Sequence, residues 1–301
     1  MTLEAGVLTD TIYRFPTDMR FFSTPDLLEI GDVPFIIDEE KPTRQQALNY
    51  YRRVVLRYRP DIRFGEKVVR VTPLPAGGFE IATEKKRYAA QNLVIATGYY
   101  QTPNLLHIAG ESLPHVHHYY RDGHPYFLKK VVVIGGANSA VDAALDLYQH
   151  GAEVTLVCRG ETVSPKVKPW VLPIFRAHVD KGHIQTFFQS RVLEIAEDSL
   201  KLQTADGTVK VLQADAVFVM TGYKPDHSLL QALGVPINPE SGEPEHDPET
   251  METTVPGLYI AGVIAAGYDA NRIFIENGRF HGPKIVADIV EKINRRVPTT
   301  R

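Results

Sequence analysis

The sequence holds one cysteine, Cys158, among 301 residues. That excludes an intrachain disulfide, a Cys-x-x-Cys redox pair and any multi-cysteine zinc site built from this chain alone. Charge of neither sign is in excess, with 33 Lys plus Arg against 36 Asp plus Glu and a formal net charge of -3. The electrostatic footprint that nucleic acid or an anionic membrane requires is therefore missing. No apolar run reaches the ~18 residues needed to span a bilayer, and the opening residues Met1 to Gly6 have neither a basic nor an apolar leader segment. The expectation is a cytoplasmic protein with no membrane and no nucleic-acid partner. What remains is an ordinary globular balance, 44% hydrophobic and 23% charged. At ~100–200 residues per domain the length suggests about two domains.

Short β-branched runs alternate with helical patterns through the middle of the chain, which predicts an α/β fold with parallel strands joined by crossover helices. The clearest unit is a strand at Lys129 to Ile134, a turn at Gly135-Gly136-Ala137, a helix through Val141 to Tyr148, Gly151 at the helix C-cap, and a second strand at Glu153 to Arg159. Before it, spacings of three and four from Ala47 to Tyr58 predict a helix over Arg44 to Tyr58. Strands follow at Lys67 to Val71 and Gly78 to Ala82, and a buried strand from Leu93 closes on Ala96-Thr97-Gly98-Tyr99. Thr102 to Phe127 holds three prolines and no clean period, so it is read as a connection. The strand at Ala216 repeats the earlier ending as Met220-Thr221-Gly222-Tyr223. Gly257 to Gly262 gives a short strand, and Lys284 to Arg295 a closing helix with Ile285, Val286, Ile289, Val290 and Ile293 on one side. Two segments ending a strand in the same way predict duplicated, Rossmann-like dinucleotide-binding domains.

The turn at Gly135 carries the strongest local signal. A glycine turn opening a helix lets backbone N–H groups and the helix dipole meet a pyrophosphate. Gly135, Gly136, Asn138, Ser139 and Ala140 are the candidate contacts; Ala137 replaces the middle glycine, and a plain tight βα turn is the alternative reading. An NAD binder places a carboxylate at the end of the second strand. Here the strand ends in Arg159, with Lys166 and Lys168 just beyond, and cations suit the 2′-phosphate of NADPH. The lysines also fit ordinary surface positions. Cys158 reads as a buried, inert thiol. His115, His117 and His118 lie without a carboxylate set and read as surface histidines, so no metal site is expected. Glu276 and His281 could steer a proton, though structural capping or packing is the favoured reading of both.

With these residues in hand, the chain resembles the pyridine-nucleotide disulfide oxidoreductases of the thioredoxin reductase-like type, and within them the bacillithiol disulfide reductase family. The matching segments are Ile12 to Thr17, Phe21 to Ser23, Ile30 to Phe35, Ala96 to Tyr100, His124 to Phe127, Gly135 to Ala144, Ser164 to Pro173 and Ile273 to Gly282. The resemblance implies FAD in one domain and NADPH in the other, with the NADPH domain inserted in the FAD domain: residues 1–108 and 226–301 for FAD, and 109–225 for linker and NADPH. It implies hydride transfer from nicotinamide to flavin and on to a small-molecule disulfide such as bacillithiol disulfide, in a homodimer serving redox homeostasis. It places Glu4 on the FAD adenosine ribose, Val68 at adenine, Gly98 near the phosphates, and Gly262 and Val263 in the second FAD segment. Ile273 and Phe274 would start a helix aimed at the flavin, and Tyr13 and Pro16 would line the isoalloxazine. Tyr13, Phe15, Phe21 and Phe22 equally fit core packing. Val263 stands where related thioredoxin reductases have Asp, which removes a ribitol hydrogen bond.

One departure is large. The strand, GxGxxG turn and helix of about 30 residues that cradle the FAD pyrophosphate in this family are not in the sequence, nor is the cysteine that turn carries. Leu3 to Gly6 resembles the end of that unit's second strand. Either Met1 is an internal methionine of a longer protein, or the chain is a short form that binds NADPH and holds FAD poorly. No catalytic residue is assigned. Two other functions stay open: a flavin monooxygenase, whose linker signature Gly110, His115 and Tyr119 approach with one residue too many between Gly and His, and a non-catalytic NADPH-binding redox sensor.

Overall fold

The computed structural model describes residues 1–296, with side chains to Arg295. The described chain forms two compact units. One comprises Met1–Arg14, Met19–Thr102 and the chain from Lys224 onward; the other comprises Phe15–Asp18 and Pro103–Tyr223.

The Pro103–Tyr223 unit is built on a five-stranded sheet in the order Ile184–Phe187, Glu153–Val157, Lys130–Ile134, Ala216–Val219, Val116–His117, with every pair parallel. Lys130–Ile134 sits at its centre, and Val131, Val132 and Val133 are each at most 1% exposed. A parallel strand covered on both faces reads as a continuous apolar run rather than an alternation, which is why this segment stands out in the sequence. Alternate side chains serve opposite faces. Val131 and Val133 join Leu156 and Phe218 under Ala140, Val141 and Ala144 of helix Asn138–Gln149 and Phe175 of helix Leu172–Asp180. Val132, Ile134 and Val217 pack against Ile195, Leu200 and Leu202. Those three come from an antiparallel sheet of Arg191–Ile195, Ser199–Gln203 and Val209–Gln213 that the sequence reading did not identify.

Helix Asn138–Gln149 ends as expected at Gly151, which has φ 81°. Ala152 N–H reaches back to Leu147 O at 3.0 Å and Gly151 N–H to Tyr148 O at 2.9 Å, the paired bonds of a Schellman end. Two expectations for this unit change. The stretch from Thr102 to Phe127 is not only a connection, since Val116–His117 is the sheet's edge strand. His115, His117 and His118 are half-buried rather than superficial. The His117 ring lies 5.2 Å from that of Phe218, and burial, with His115 and His118 beside it, holds its imidazole below the usual range.

The other unit carries two short parallel pairs, Thr2–Glu4 with Ile62–Phe64 and Leu93–Ile95 with Leu258–Ile260, and an antiparallel sheet of Val68–Pro73, Phe79–Thr83 and Arg87–Ala90. Leu258, Tyr259 and Ile260 are fully buried, among Phe79, Ile95, Leu230 and Ile264. Helix Arg44–Tyr58 starts on a capping box in which Thr43 and Gln46 bond each other's backbone N–H groups, and it buries Ala47, Tyr50, Tyr51 and Val54. The closing helix, His281–Arg296, turns Ile285 into the core but leaves Val286, Val290 and Ile293 59%, 49% and 52% exposed. The sequence had set all of them on one side. The period of 3.6 places Val286, Val290 and Ile293 on a separate stripe about one residue around from Ile285 and Ile289.

Candidate nucleotide-binding sites

In the five-stranded sheet the chain runs from Lys130–Ile134 out through Glu153–Val157 to Ile184–Phe187, then returns to Ala216–Val219 on the other side of the starting strand. Strand order reverses there, and the crevice beyond the carboxyl ends of such strands is where open α/β sheets bind ligands. Gly135 and Met220 lie at that reversal. Gly135 has φ 148°, and a Cβ on it would overlap Met220 O and come within 3.0 Å of Ala140 Cβ. Gly136 is equally constrained, because a Cβ there would overlap Cys158 Sγ. Close packing of the turn thus explains both glycines.

Helix Asn138–Gln149 begins with extended Ala137 at its N-cap, and no side chain caps it. An uncapped first turn presents backbone N–H groups and the positive end of the dipole, the arrangement that receives a pyrophosphate. Ser139 is exposed there, while Ala140 is buried against the turn. Asn138 serves the neighbouring loop: its Nδ2 donates to Lys166 O at 3.2 Å, and its Oδ1 accepts from Lys168 N–H at 2.9 Å. Ser164 N–H donates to Gly136 O at 2.6 Å. These bonds hold the loop carrying the two lysines beside the helix start. Arg159 and Lys166 are exposed. Lys168 differs from expectation, because its Nζ is paired with Asp142 Oδ2 of the same helix at 2.7 Å. Cys158 is buried, 8% exposed, with Sγ facing Thr162 O at 3.7 Å.

In the other unit, four of the sequence-derived residues converge. Ala261 N–H bonds Ile95 O at 3.0 Å, which joins the ends of Leu93–Ile95 and Leu258–Ile260. Gly98 follows the first strand with φ 72°, and Val263 Cγ1 lies 3.9 Å from where its Cβ would stand. Gly262 follows the second with φ 74° and open space on its Cβ side. A Cβ on Gly278 would meet Ile273 Cγ2 at 3.2 Å and Gly262 Cα at 3.5 Å, so Ile273 belongs to the same cluster. Phe274 precedes the short helix Ile275–Gly278 and is 49% exposed; its N–H is held by Asn277 Oδ1 at 2.7 Å. His281 Nδ1 accepts from Gly262 N–H at 3.1 Å. Burial, with Lys284 and His246 nearby, pushes the His281 imidazole down, which favours the neutral acceptor.

Glu4 ends its strand half-buried, and its Oε1 accepts from Gly6 N–H at 2.8 Å. Val68 is half-buried at the start of its own strand, and Tyr13, 40% exposed, lies under the Arg44 guanidinium at 5.5 Å. Pro16 falls in the Phe15–Asp18 segment of the second unit, where Thr17 N–H donates to Arg121 O at 2.8 Å. Glu276 Oε2 accepts from Ser23 Oγ at 2.8 Å. Sequence reasoning missed the roles of Asp142 and Ser23, and it did not anticipate His281 as the anchor of the Gly262 loop. The sequence singles out His281 beside Glu276, but the closing helix is read there from Lys284 rather than from His281, and the histidine's partner lies in a different loop.

A parallel sheet with a glycine turn at its order reversal, in a chain whose other unit repeats the strand-Thr-Gly ending, defines a two-domain, Rossmann-like nucleotide-dependent oxidoreductase. The chain belongs to the pyridine nucleotide-disulphide oxidoreductases, whose family model matches residues 1–262. Among similar proteins, bacilliredoxin reductase Bdr of Bacillus subtilis is 49% identical over 294 residues, spanning 98% of this chain and 91% of the relative. The structure of bacillithiol disulfide reductase Bdr from Staphylococcus aureus superposes with a TM-score of 0.93 at 46% identity, covering 96% of this chain and 90% of that one. Thioredoxin reductase of T. acidophilum shares the fold, with a TM-score of 0.75 at 22% identity over 97% of this chain and 90% of its own.

Proposed function

We propose that this protein is an NADPH-dependent flavoprotein that reduces a low-molecular-weight disulfide, with bacillithiol disulfide as the leading substrate. The observation that carries this reading is near-full-length similarity, 49% identical over 98% of the chain, to a protein named bacilliredoxin reductase. The overall reaction consumes NADPH, a proton and one disulfide and yields NADP⁺ and two thiols. Bound FAD supplies the two-electron relay between nicotinamide and disulfide.

The residues present fit that group in part. Gly262 leaves open space where any other residue would carry a Cβ, beside Gly98, as a close approach of cofactor to backbone requires. Glu4 would accept from the adenosine ribose, Val68 would meet adenine, and Ile273, Phe274 and Tyr13 would border the flavin. Val263 offers no acceptor to the ribitol. His281 would hold the Gly262 loop in position. On the other unit, the turn at Gly135 and Gly136 with the first-turn N–H groups of Asn138 and Ser139 would take the NADPH pyrophosphate, with Ala140 allowing the close approach of helix to strand. Arg159 and Lys166 would neutralise the 2′-phosphate. Lys168, already paired with Asp142, is assigned to shaping the loop. Cys158 is left out of the redox chemistry because it is buried behind Gly136. A homodimer in the cytoplasm completes the reading; among the described residues no helix is long and apolar enough to cross a membrane.

The test is anaerobic titration of the purified protein with NADPH, followed by bacillithiol disulfide. Loss of flavin absorbance on the first addition and its return on the second are expected. Flavin that does not bleach, or that bleaches but passes no electrons to any disulfide, overturns the assignment.

A further inference from the structure

Helix Ile275–Gly278 is four residues long and buries none of them. A helix that short gains little from its own hydrogen bonds, so its position is set by whatever ties it down. On one side Gly278 lies against the Gly262 loop, where a Cβ on it would meet Gly262 Cα at 3.5 Å. Within the turn, Asn277 accepts from Phe274 N–H at 2.7 Å and donates to Arg272 O at 2.8 Å. The remaining ties come from a distant stretch, residues 23–35. Ser23 Oγ donates to Glu276 Oε2 at 2.8 Å, and Arg279 Nη1 donates to both Asp26 O and Glu29 O, each at 2.8 Å.

Those two carbonyls lie at the end of the short helix Pro25–Leu28, where acceptors lack donors from the helix itself and a guanidinium is a natural cap. Residues 23–35 are in turn fixed by helix Arg44–Tyr58. Tyr51 Oη donates to Leu28 O at 3.0 Å, and Tyr50 Oη accepts from Ile30 N–H and donates to Val33 O, both at 2.8 Å. The Tyr50 ring stacks on Phe35 at 4.3 Å. Arg279 is therefore the link between a well-held stretch and a helix with little hold of its own. Its Nε is buried with no acceptor among the described residues. An unmet buried donor costs stability, which argues for a role beyond strengthening the fold.

We propose that Arg279 is a positioning residue for the flavin, setting where the turn of Ile273 and Phe274 stands beside the Gly262 loop. The inference rests on the reading above in which these residues border a flavin. Arg279 acts through its hold on the turn and does not touch the cofactor. Phe274 is 49% exposed, so its own packing fixes it weakly. A displacement of about 1 Å at such an edge is enough to alter how tightly a planar ring is held and what surrounds it.

The experiment compares the full-length parent protein with Arg279→Ala and Arg279→Lys. Flavin affinity is read by fluorescence titration with FAD, and the flavin's surroundings by the position of its visible bands. Hydrogen exchange at the Phe274 and Gly278 amides, which bond Asn277 Oδ1 and Phe274 O, reads the turn with and without FAD. In Arg279→Ala the dissociation constant for FAD should rise about tenfold, equivalent to about one charge-assisted hydrogen bond. Its visible bands should move toward those of free FAD, and both amides should exchange faster. Arg279→Lys keeps the charge without the reach of the guanidinium and should fall between alanine and the parent. NADPH affinity should be unchanged in both. Parental flavin affinity and spectrum in Arg279→Ala, even with a lowered Tm, overturn the proposal and leave the flavin reading standing. Should the alanine variant not fold, the same result in Arg279→Lys does so. A parent protein that binds no flavin overturns that reading and this proposal with it.

Discussion

At Gly136, one methyl group decides whether the turn and the end of the second strand can coexist. A Cβ there would overlap Cys158 Sγ. Gly136→Ala should therefore cost about 1–3 kcal/mol by overpacking and weaken NADPH binding. Adding Cys158→Ala removes the sulfur and should restore most of the stability; denaturant melts of the single and double variants check this. The same scale separates the cations. Arg159→Ala should raise the KM for NADPH about tenfold and leave that for NADH nearly unchanged, the loss of about one charge-assisted contact to the 2′-phosphate. Steady-state kinetics with both nucleotides checks it. Arg159 was legible because it closes a recognisable strand. The partnering of Lys168 was not, since it needs Asn138 to draw the loop over the helix and bring Lys168 to Asp142.

Elements were legible where local pattern and burial coincide. The Lys130–Ile134 strand, the helix behind its glycine turn and Arg44–Tyr58 announce themselves through β-branched runs, helical spacing and caps. Thr43→Ala should remove one side of the Gln46 capping box and cost about 1 kcal/mol, read as a lowered midpoint of chemical unfolding. Val116–His117 could not be read, because two residues carry no period and their partner strand lies a hundred positions away. The sheet spanning Arg191–Ile195 to Val209–Gln213 has alternation in Leu200 and Leu202. That signal is short, and what fixes it is the second face of the parallel sheet. The closing helix shows the same limit, because its apolar residues mark a helix without saying which stripe the core takes.

For the whole molecule, acid works through buried and half-buried histidines. Burial holds His117, His227 and His281 below the usual imidazole range. Below about pH 6.5 the unfolded chain takes up protons that the folded chain does not, so stability falls as pH falls through and below that value. His150 opposes this: the Asp146 carbonyl, with Asp146, Asp122 and Asp18 around it, raises its pKa, so it adds stability as the medium becomes acidic. It is 30% exposed, and solvent screens part of that contribution. Thermal melts from neutral to mildly acid pH should show a declining Tm, and the decline should be shallower in His281→Asn, whose amide oxygen can still accept from Gly262 N–H.

The two-domain, Rossmann-like plan was legible; where the strand order reverses, and which residues meet within each unit, were not. Gly98 lies far in sequence from Gly262, Val263 and Ile273, and the pairing of Leu93–Ile95 with Leu258–Ile260 brings the two stretches together. The central claim is that NADPH electrons reach a disulfide through a flavin held by this chain. The most direct measurement is the visible spectrum of the purified protein under anaerobic conditions, before and after NADPH and again after bacillithiol disulfide. A flavin band that bleaches with NADPH and returns with the disulfide is the result this account predicts. A colourless protein, or a flavin band indifferent to NADPH, would contradict it.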